Sequence, residues 1–174
     1  AMSQDQLTAA DAEKAFWEAL ETSNTGLLGL DQPGYHAQPM TAFREAETGT
    51  IWFFTRADTD LARDVAVGGV GGGGQSAMFH YGSKDQKVWA CIHGDLSVHG
   101  PDRQIIDRYW SPVLAAWYPG GKDDPHLTIL RFDGDDGRVW VSNGGLLKFG
   151  FEIVKANIAR TRPAVGGVAD VSLQ

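Results

Sequence analysis

Residues 65–79, VAVGGVGGGGQSAMF, carry six glycines in the seven positions from 68 to 74. Gly69, Gly71 and Gly74 satisfy G-x-G-x-x-G, and Gly69 to Ser76 reads as a phosphate loop with Gln75 in the lysine's place. Either motif would hold a nucleotide's phosphates on backbone N–H groups at a helix N-terminus. Each therefore needs a strand before the glycines and a helix after them. Here the following QSAMFHYG alternates small or polar with bulky residues, which predicts a strand. The acidic residue expected about 20 positions further on falls inside a second strand pattern. Gln75 carries no charge. The run reads instead as a flexible connector from a helix into a strand, where glycine tolerates positive φ and close approach. High mobility is expected for residues 68–74.

The other chemistry-bearing residues are dispersed. Five histidines stand at 36, 80, 93, 99 and 126. His93 and His99 share a strand parity, but six strand residues separate them by about 20 Å, too far for one metal ion. No metal site is expected. Cys91, the only cysteine, lies in the strand pattern VWACIHGDLSV and reads as a buried, inert thiol, so no intrachain disulfide forms. DGDDG at 133–137 resembles the start of a calcium loop but lacks the later ligands, and reads as a solvated hairpin turn. There is no G-x-S-x-G. In YWSPVLAAWYPGGKDDPHLTILRF, the pairs Tyr109-Trp110 and Trp117-Tyr118 flank a small helix. They read either as aromatics packed on the core or as an aromatic wall beside a pocket whose loop carries Lys122.

The elements that must position these residues follow from periodicity. Residues 8–22 predict a helix with Thr8 as N-cap and Ala12, Phe16, Ala19 and Leu20 on one face. Strands are predicted at 24–30, 36–45, 48–56, 76–83 and 87–100, with a short helix at 58–69 closed by glycine. Pro101-Asp102 opens a helical stretch to Trp117 that Pro112 interrupts. Residues 118–125 read as a loop, 126–142 as a hairpin turning at DGDDG, and 145–160 as an amphipathic helix. Strands joined by hairpins point to an antiparallel sheet or barrel with helices outside, not to a doubly wound parallel fold.

Bulk properties agree. The 174 residues, 43% hydrophobic and 21% charged, suit one globular domain with a sizeable core. The ordered core is expected over about residues 8–162, and 163–174 as a mobile tail with few anchors. A net charge of −7 argues against a nucleic-acid binder. No run of 18 apolar residues and no signal peptide stands in the sequence, so a cytoplasmic protein that spans no membrane is expected.

Four stretches carry a resemblance: QPMTAF at 38–43, IWFFT at 51–55, HGDLSVHGPDRQIIDRYWSPVLAAWYPGGKDDP at 93–125 and VWVSNGG at 139–145. Together they resemble the general stress protein branch of the pyridoxamine 5′-phosphate oxidase-like, FMN-binding split-barrel family, over roughly residues 12–157. The resemblance implies a mainly β, α+β fold, a six-stranded antiparallel split β-barrel with peripheral helices. It implies a homodimer with two flavin sites at the subunit interface. It places Gln38, Pro39, Met40 and Thr41 along the flavin, Phe54 and Thr55 beside the ring, and Trp110 near the site.

Two departures bear on the phosphate. The family commonly has Arg where this chain has Gln38, and a Ser-x-Lys element where it reads Thr59-Asp60-Leu61. Those bases neutralise the FMN phosphate in relatives, and each charge-assisted contact contributes about 1.5–3 kcal/mol. Arg56, Arg63 and Lys122 are the candidate substitutes, with Thr59 beside them. The glycine run stands where relatives more often carry an Asn-Pro-like turn. The sequence thus points to a flavin-binding stress protein holding FMN, with FAD the second candidate, and to hydride or electron transfer if it is an enzyme. No residue stands out as acid or base, and the basic residues for pyridoxamine phosphate are not evident. The alternatives are a non-catalytic flavin carrier and a dimeric barrel that has lost FMN.

Overall fold

In a computed structural model of the chain, which describes residues 7–45, 47–67, 72–142, 154–160 and 166–173, helix α1 (Ala9–Thr22) comes first. The Thr8 hydroxyl accepts the Asp11 N–H at 3.1 Å, satisfying one of the donors that a helix start leaves open. Ala12, Phe16 and Leu20 recur at helical spacing and are buried in the main core.

Six strands follow the expected hairpin order: β1 (Thr25–Leu30), β2 (Gln38–Glu45), β3 (Thr50–Arg56), β4 (Gln75–Gly82), β5 (Val88–Val98) and β6 (Leu127–Ser142). They pair antiparallel as β3-β2-β1-β4-β5-β6, and β6 returns to pair with β3, so the six close into a barrel. Closure joins the two ends of the strand order into one ring. The strands alternate as a barrel wall must. On β5, Val88, Ala90, Ile92, Leu96 and Val98 point into the core, and Trp89, Cys91 and His93 point out.

β3 is the exception, buried on both faces. Ile51 and Phe53 enter the barrel core. Trp52 and Phe54 enter a second layer with Ile105 and Ile106 of α3 (Arg103–Tyr109) and Leu114 of α4 (Pro112–Trp117). This explains why IWFF runs apolar without alternation. Helix α2 (Asp60–Ala66) buries Leu61, Ala62 and Val65. Its C-cap is Val67. The expected glycine closure and most of the run at 68–74 fall on residues 68–71, outside the described residues. Of the helix expected at 145–160, only 154–160 is described, and 154–159 is helical. Pro112 starts α4 rather than interrupting a helix, its missing N–H falling where the helix has no acceptor for one. The loop at 118–125 contains a short 3-10 turn, Gly121–Asp123.

Two expectations are corrected. DGDDG is not a hairpin turn: β6 runs unbroken through it for 16 residues. Its first half pairs with β3 and β5, its second half with β5 and β7 (Gly166–Ser172). Asp135 is the extra residue of a β-bulge opposite His93 and Gly94. The glycines serve close packing. A Cβ on Gly137 would lie 2.6 Å from the Cys91 carbonyl oxygen and from Ile92 Cδ1. Nor are residues 166–172 a tail without anchors. As β7 they pair along β6, bury Val171, and tie Asp170 to Arg138 through two hydrogen bonds of 2.6 and 3.1 Å. The half of β6 that overhangs β3 would otherwise leave its N–H and C=O groups unpaired, and β7 supplies their partners.

Gly137→Ala separates the two views of DGDDG. A strand packed on β5 predicts a loss of about 1–3 kcal/mol from overpacking, read by urea denaturation. A solvated turn predicts less than about 0.5 kcal/mol.

Candidate functional site

β2 cannot follow β3 along its whole length. Ala42 to Glu45 pair with Phe53 to Thr50. Continuing that register would set Thr41 against Phe54, Met40 against Thr55 and Pro39 against Arg56. These pairs do not form. Residues 38–41 of β2 pair with β1 alone, and Phe54 to Arg56 of β3 pair with β6 alone. Pro39 has no N–H to offer a further ladder. The two strands part, and the gap is a cavity of about 620 Å³, a size common for sites that hold a small organic ligand.

Helix α4 forms the opposite wall. Ser111 caps it, its hydroxyl accepting the Leu114 N–H at 3.2 Å. Leu114 and, just past the helix, Tyr118 lie four residues apart and turn inward. Val113 and Trp117, also four apart, stand on the rim, each 71% exposed. Phe43 meets Phe54 edge to face with centroids 5.3 Å apart, bracing the floor.

The polar end lies where β3 turns into α2. Arg56 donates to Asp58 through Nε at 3.1 Å and Nη2 at 2.9 Å. The guanidinium holds the Asp58 carboxyl below its ordinary range. The Thr59 hydroxyl donates to the Arg56 carbonyl at 3.0 Å and accepts the Ala62 N–H at 3.2 Å. Thr55 Oγ1 lies 3.4 Å from Thr59 Oγ1. Burial pushes the Tyr118 phenol up to about 12, with Arg56 opposing and Asp124 adding to the rise. The lining contains no His, Asp, Glu, Lys or Cys among the described residues.

Eight of the residues expected along a flavin line this one cavity: Gln38, Pro39, Met40 and Thr41 from β2, Phe54, Thr55 and Arg56 from β3, and Thr59. Three do not. Trp110 packs beneath the wall against Tyr118, ring centroids 6.4 Å apart. Arg63 pairs with Asp60 at 3.0 Å in solvent. Lys122 donates to Asp107 at 2.6 Å. Sequence reasoning placed no role on Asn24, Thr25 and Ser111, which also line the cavity. Thr25 is there because it registers with Thr41, a long-range pairing. For Trp117 and Tyr118 the aromatic pairing was the available signal.

A second cluster lies outside this cavity, on the outer face of β4, β5 and β6. Ser76 Oγ is 2.8 Å from His93 Nε2, and His93 Nδ1 is 3.4 Å from Asp136 Oδ1. Asp31 also approaches Nε2, at 4.0 Å. His93, Asp135 and Asp136 bring potential metal-ligand atoms within 4.8 Å of one another. Asp136 is exposed, and the group sits on the β6 bulge with solvent on its open side. Cys91 is only partly buried, on the outward face of β5 and not, as expected, in the core, and that partial burial, with Asp136 adding to it, raises its thiol.

Residues 11–164 match the family described as pyridoxamine 5′-phosphate oxidase like. Among solved structures, the chain is similar to a protein from Jannaschia sp. CCS1 assigned as general stress protein 26. The identity is 34% over 94% of this chain and 99% of that one, with a TM-score of 0.80. It is similar to the general stress FMN/FAD binding protein from Xanthomonas citri, with 39% identity over 79% of this chain and 93% of that one, TM-score 0.68. It is likewise similar to a general stress family protein from Xanthomonas campestris pv. campestris, with 39% identity over 80% and 92%, TM-score 0.67. No curated protein matches the chain.

The raised Tyr118 pKa carries a signed consequence. The folded value, about 12, lies above the ordinary tyrosine value of 10.0, so the neutral phenol's contribution to stability is complete below pH 10 and lost as pH rises toward 12. Burial also raises Tyr35 and Tyr81, so a near-ultraviolet titration of wild type should show several delayed tyrosines, of which Tyr118→Phe removes the one ionising near pH 12. The variant's stability should fall less steeply across that window.

Proposed function

The chain belongs to the pyridoxamine 5′-phosphate oxidase-like family, and on that premise we propose that it is a flavin-binding stress protein. It is a single domain that works in the cytoplasm and takes FMN, before FAD, in the gap between β2 and β3. One observation carries this reading. The strand parting makes a cavity at the same two segments, 38–41 and 54–55, that the resemblance to flavin-binding relatives singles out. The residues present fit a flat aromatic ligand with a polar tail. Met40, Phe54 and Trp117 offer apolar surface for the ring. Gln38, Thr41 and Asn24 offer amide and hydroxyl groups for its polar edge. Thr55, Arg56 and Thr59 would receive the tail.

A bound flavin supplies hydride or electron transfer. The chain's own residues bind and orient. The only titratable groups in the described lining are Arg56 and Tyr118. Neither changes charge near neutral pH, so the cavity offers no side chain suited to general acid or base work. This favours, as a second reading, a flavin carrier without catalysis. It also counts against oxidation of pyridoxamine phosphate, which would need a second anion site beside the ring.

The functional unit is a homodimer that closes the cavity. Val113 and Trp117 at the rim are large, apolar and mostly in water, an arrangement that a second subunit would relieve. Among the described residues, no helix is long and apolar enough to cross a membrane.

Titration with FMN should quench tryptophan fluorescence to saturation, and the reconstituted protein should show visible flavin absorbance. Failure of both at high FMN removes the flavin reading. Bleaching of the bound flavin by NAD(P)H would separate oxidoreductase from carrier.

Light scattering should give a dimer mass. Trp117→Lys should shift the protein toward monomer and weaken FMN by about tenfold or more. A monomeric wild type at working concentration would refute the interfacial site.

A further inference from the structure

Among the described residues of one chain, the polar end of the cavity has a cation but no surplus of positive charge. Arg56 is the only cationic side chain in the described lining. Its fork closes on both oxygens of Asp58, at 3.1 and 2.9 Å, the paired geometry that a guanidinium would otherwise give a phosphate. Asp58 is held ionised by that contact. A second carboxylate acts on Arg56: Asp124 is buried and held ionised by the backbone N–H groups of His126 and Gly120, each at 2.9 Å. Two carboxylates thus act on the one guanidinium, with His126 Nδ1 3.9 Å from Asp58 Oδ2.

The neutral groups do not make up the difference. The Thr59 hydroxyl proton goes to the Arg56 carbonyl. Gln38 is uncharged. Arg63 and Lys122 are paired with Asp60 and Asp107 and do not line the cavity. A phosphate monoester brings a charge of about −1.5 to −2 at pH 7. Entering here, it would shed water without meeting a surplus of positive charge. A hydroxyl-ended tail finds the same Thr55, Thr59 and Gln38 and sheds no charge.

We infer that this cavity selects the flavin by its ring and not by its phosphate: it takes the dephosphorylated flavin, riboflavin, nearly as well as FMN, and Asp58 is the specificity-determining residue. The inference rests on the flavin reading above. Asp58 acts by occupying Arg56. Removing its charge frees the fork for an incoming phosphate and leaves the ring's contacts untouched. Asp58 is half exposed, so its replacement by the near-isosteric Asn does not threaten the core.

The test is a matched titration of wild type and Asp58→Asn with FMN and with riboflavin, followed by flavin fluorescence in one low-salt buffer. In wild type the two dissociation constants should agree within about tenfold. In Asp58→Asn the FMN constant should tighten by about tenfold, the scale of one recovered charge-assisted contact, while riboflavin changes by less than about threefold. Adding Arg56→Gln to Asp58→Asn should cancel the gain. FMN preferred by more than about tenfold in wild type overturns the inference, as does an unchanged FMN-to-riboflavin ratio in Asp58→Asn. Wild type that binds neither flavin overturns the flavin reading itself, a different failure. Wild type that binds both, with a strong phosphate preference, leaves that reading standing and refutes this one.

Discussion

The ladder between β3 and β6 closes the barrel, and the remaining geometry follows from it. Seven residues of β3, Thr50 to Arg56, pair with Asp133 to Leu127. A strand committed along its full length to one neighbour must still share its other edge with β2. The barrel allows this only over the turn-proximal half, where Ala42 meets Phe53. Beyond that point β2 follows β1 and the two strands separate. The cavity is therefore a product of barrel closure and not of a loop. One side of it is lined by residues of β2 and β3, and a strand holds its side chains more firmly than a loop does. The outward residues of β3 complete the arrangement: Trp52 and Phe54 need cover, α3 and α4 provide it, and α4 becomes the far wall.

Electrostatics gives the cavity its chemical character. The chain carries 22 acidic against 15 basic side chains, and the carboxylates take up the cations a ligand might use. Arg56, Arg63, Arg108 and Lys122 each have a carboxylate within 3.0 Å. Most of these pairs are exposed and contribute little stability one by one. Their larger effect is on what can bind. Among the described residues, the lining offers shape, apolar area and neutral hydrogen bonds around one cation that is already paired.

Some elements were legible in the linear order because their signals are local. Thr8 caps α1 as expected, since a cap and its N–H partner lie three residues apart. β4 and β5 follow from alternation, which needs only the two faces of one strand. DGDDG was misread because a tight turn and a close-packed bulge both call for glycine and aspartate. What separates them is Cys91 and Ile92, more than 40 positions away. The last strand was missed for a related reason. GGVADVS has two glycines and modest apolar content, and becomes a strand because the overhanging half of β6 offers unpaired backbone. Within the cavity, Gln38 to Thr41, Phe54 and Thr55 were reached through family resemblance, and Arg56 as a substitute for the bases this chain lacks. Thr25, Asn24 and Ser111 were not reached, since their place depends on register and on the seating of α4.

By itself the sequence determined the class of the protein: an antiparallel barrel with helices outside, an acidic surface, and a glycine run that cannot be a nucleotide loop because a strand follows it. These are matters of local periodicity and charge. Only the tertiary structure decided where β2 leaves β3, which aromatics face the gap and which cation meets which anion. Arg56 and Asp58 stand two residues apart in the chain, yet a pairing that neutralises the cavity's cation depends on how β3 turns into α2 beneath Asp124. A site's net charge is a sum over neighbours in space, and strand register, not sequence distance, chooses those neighbours.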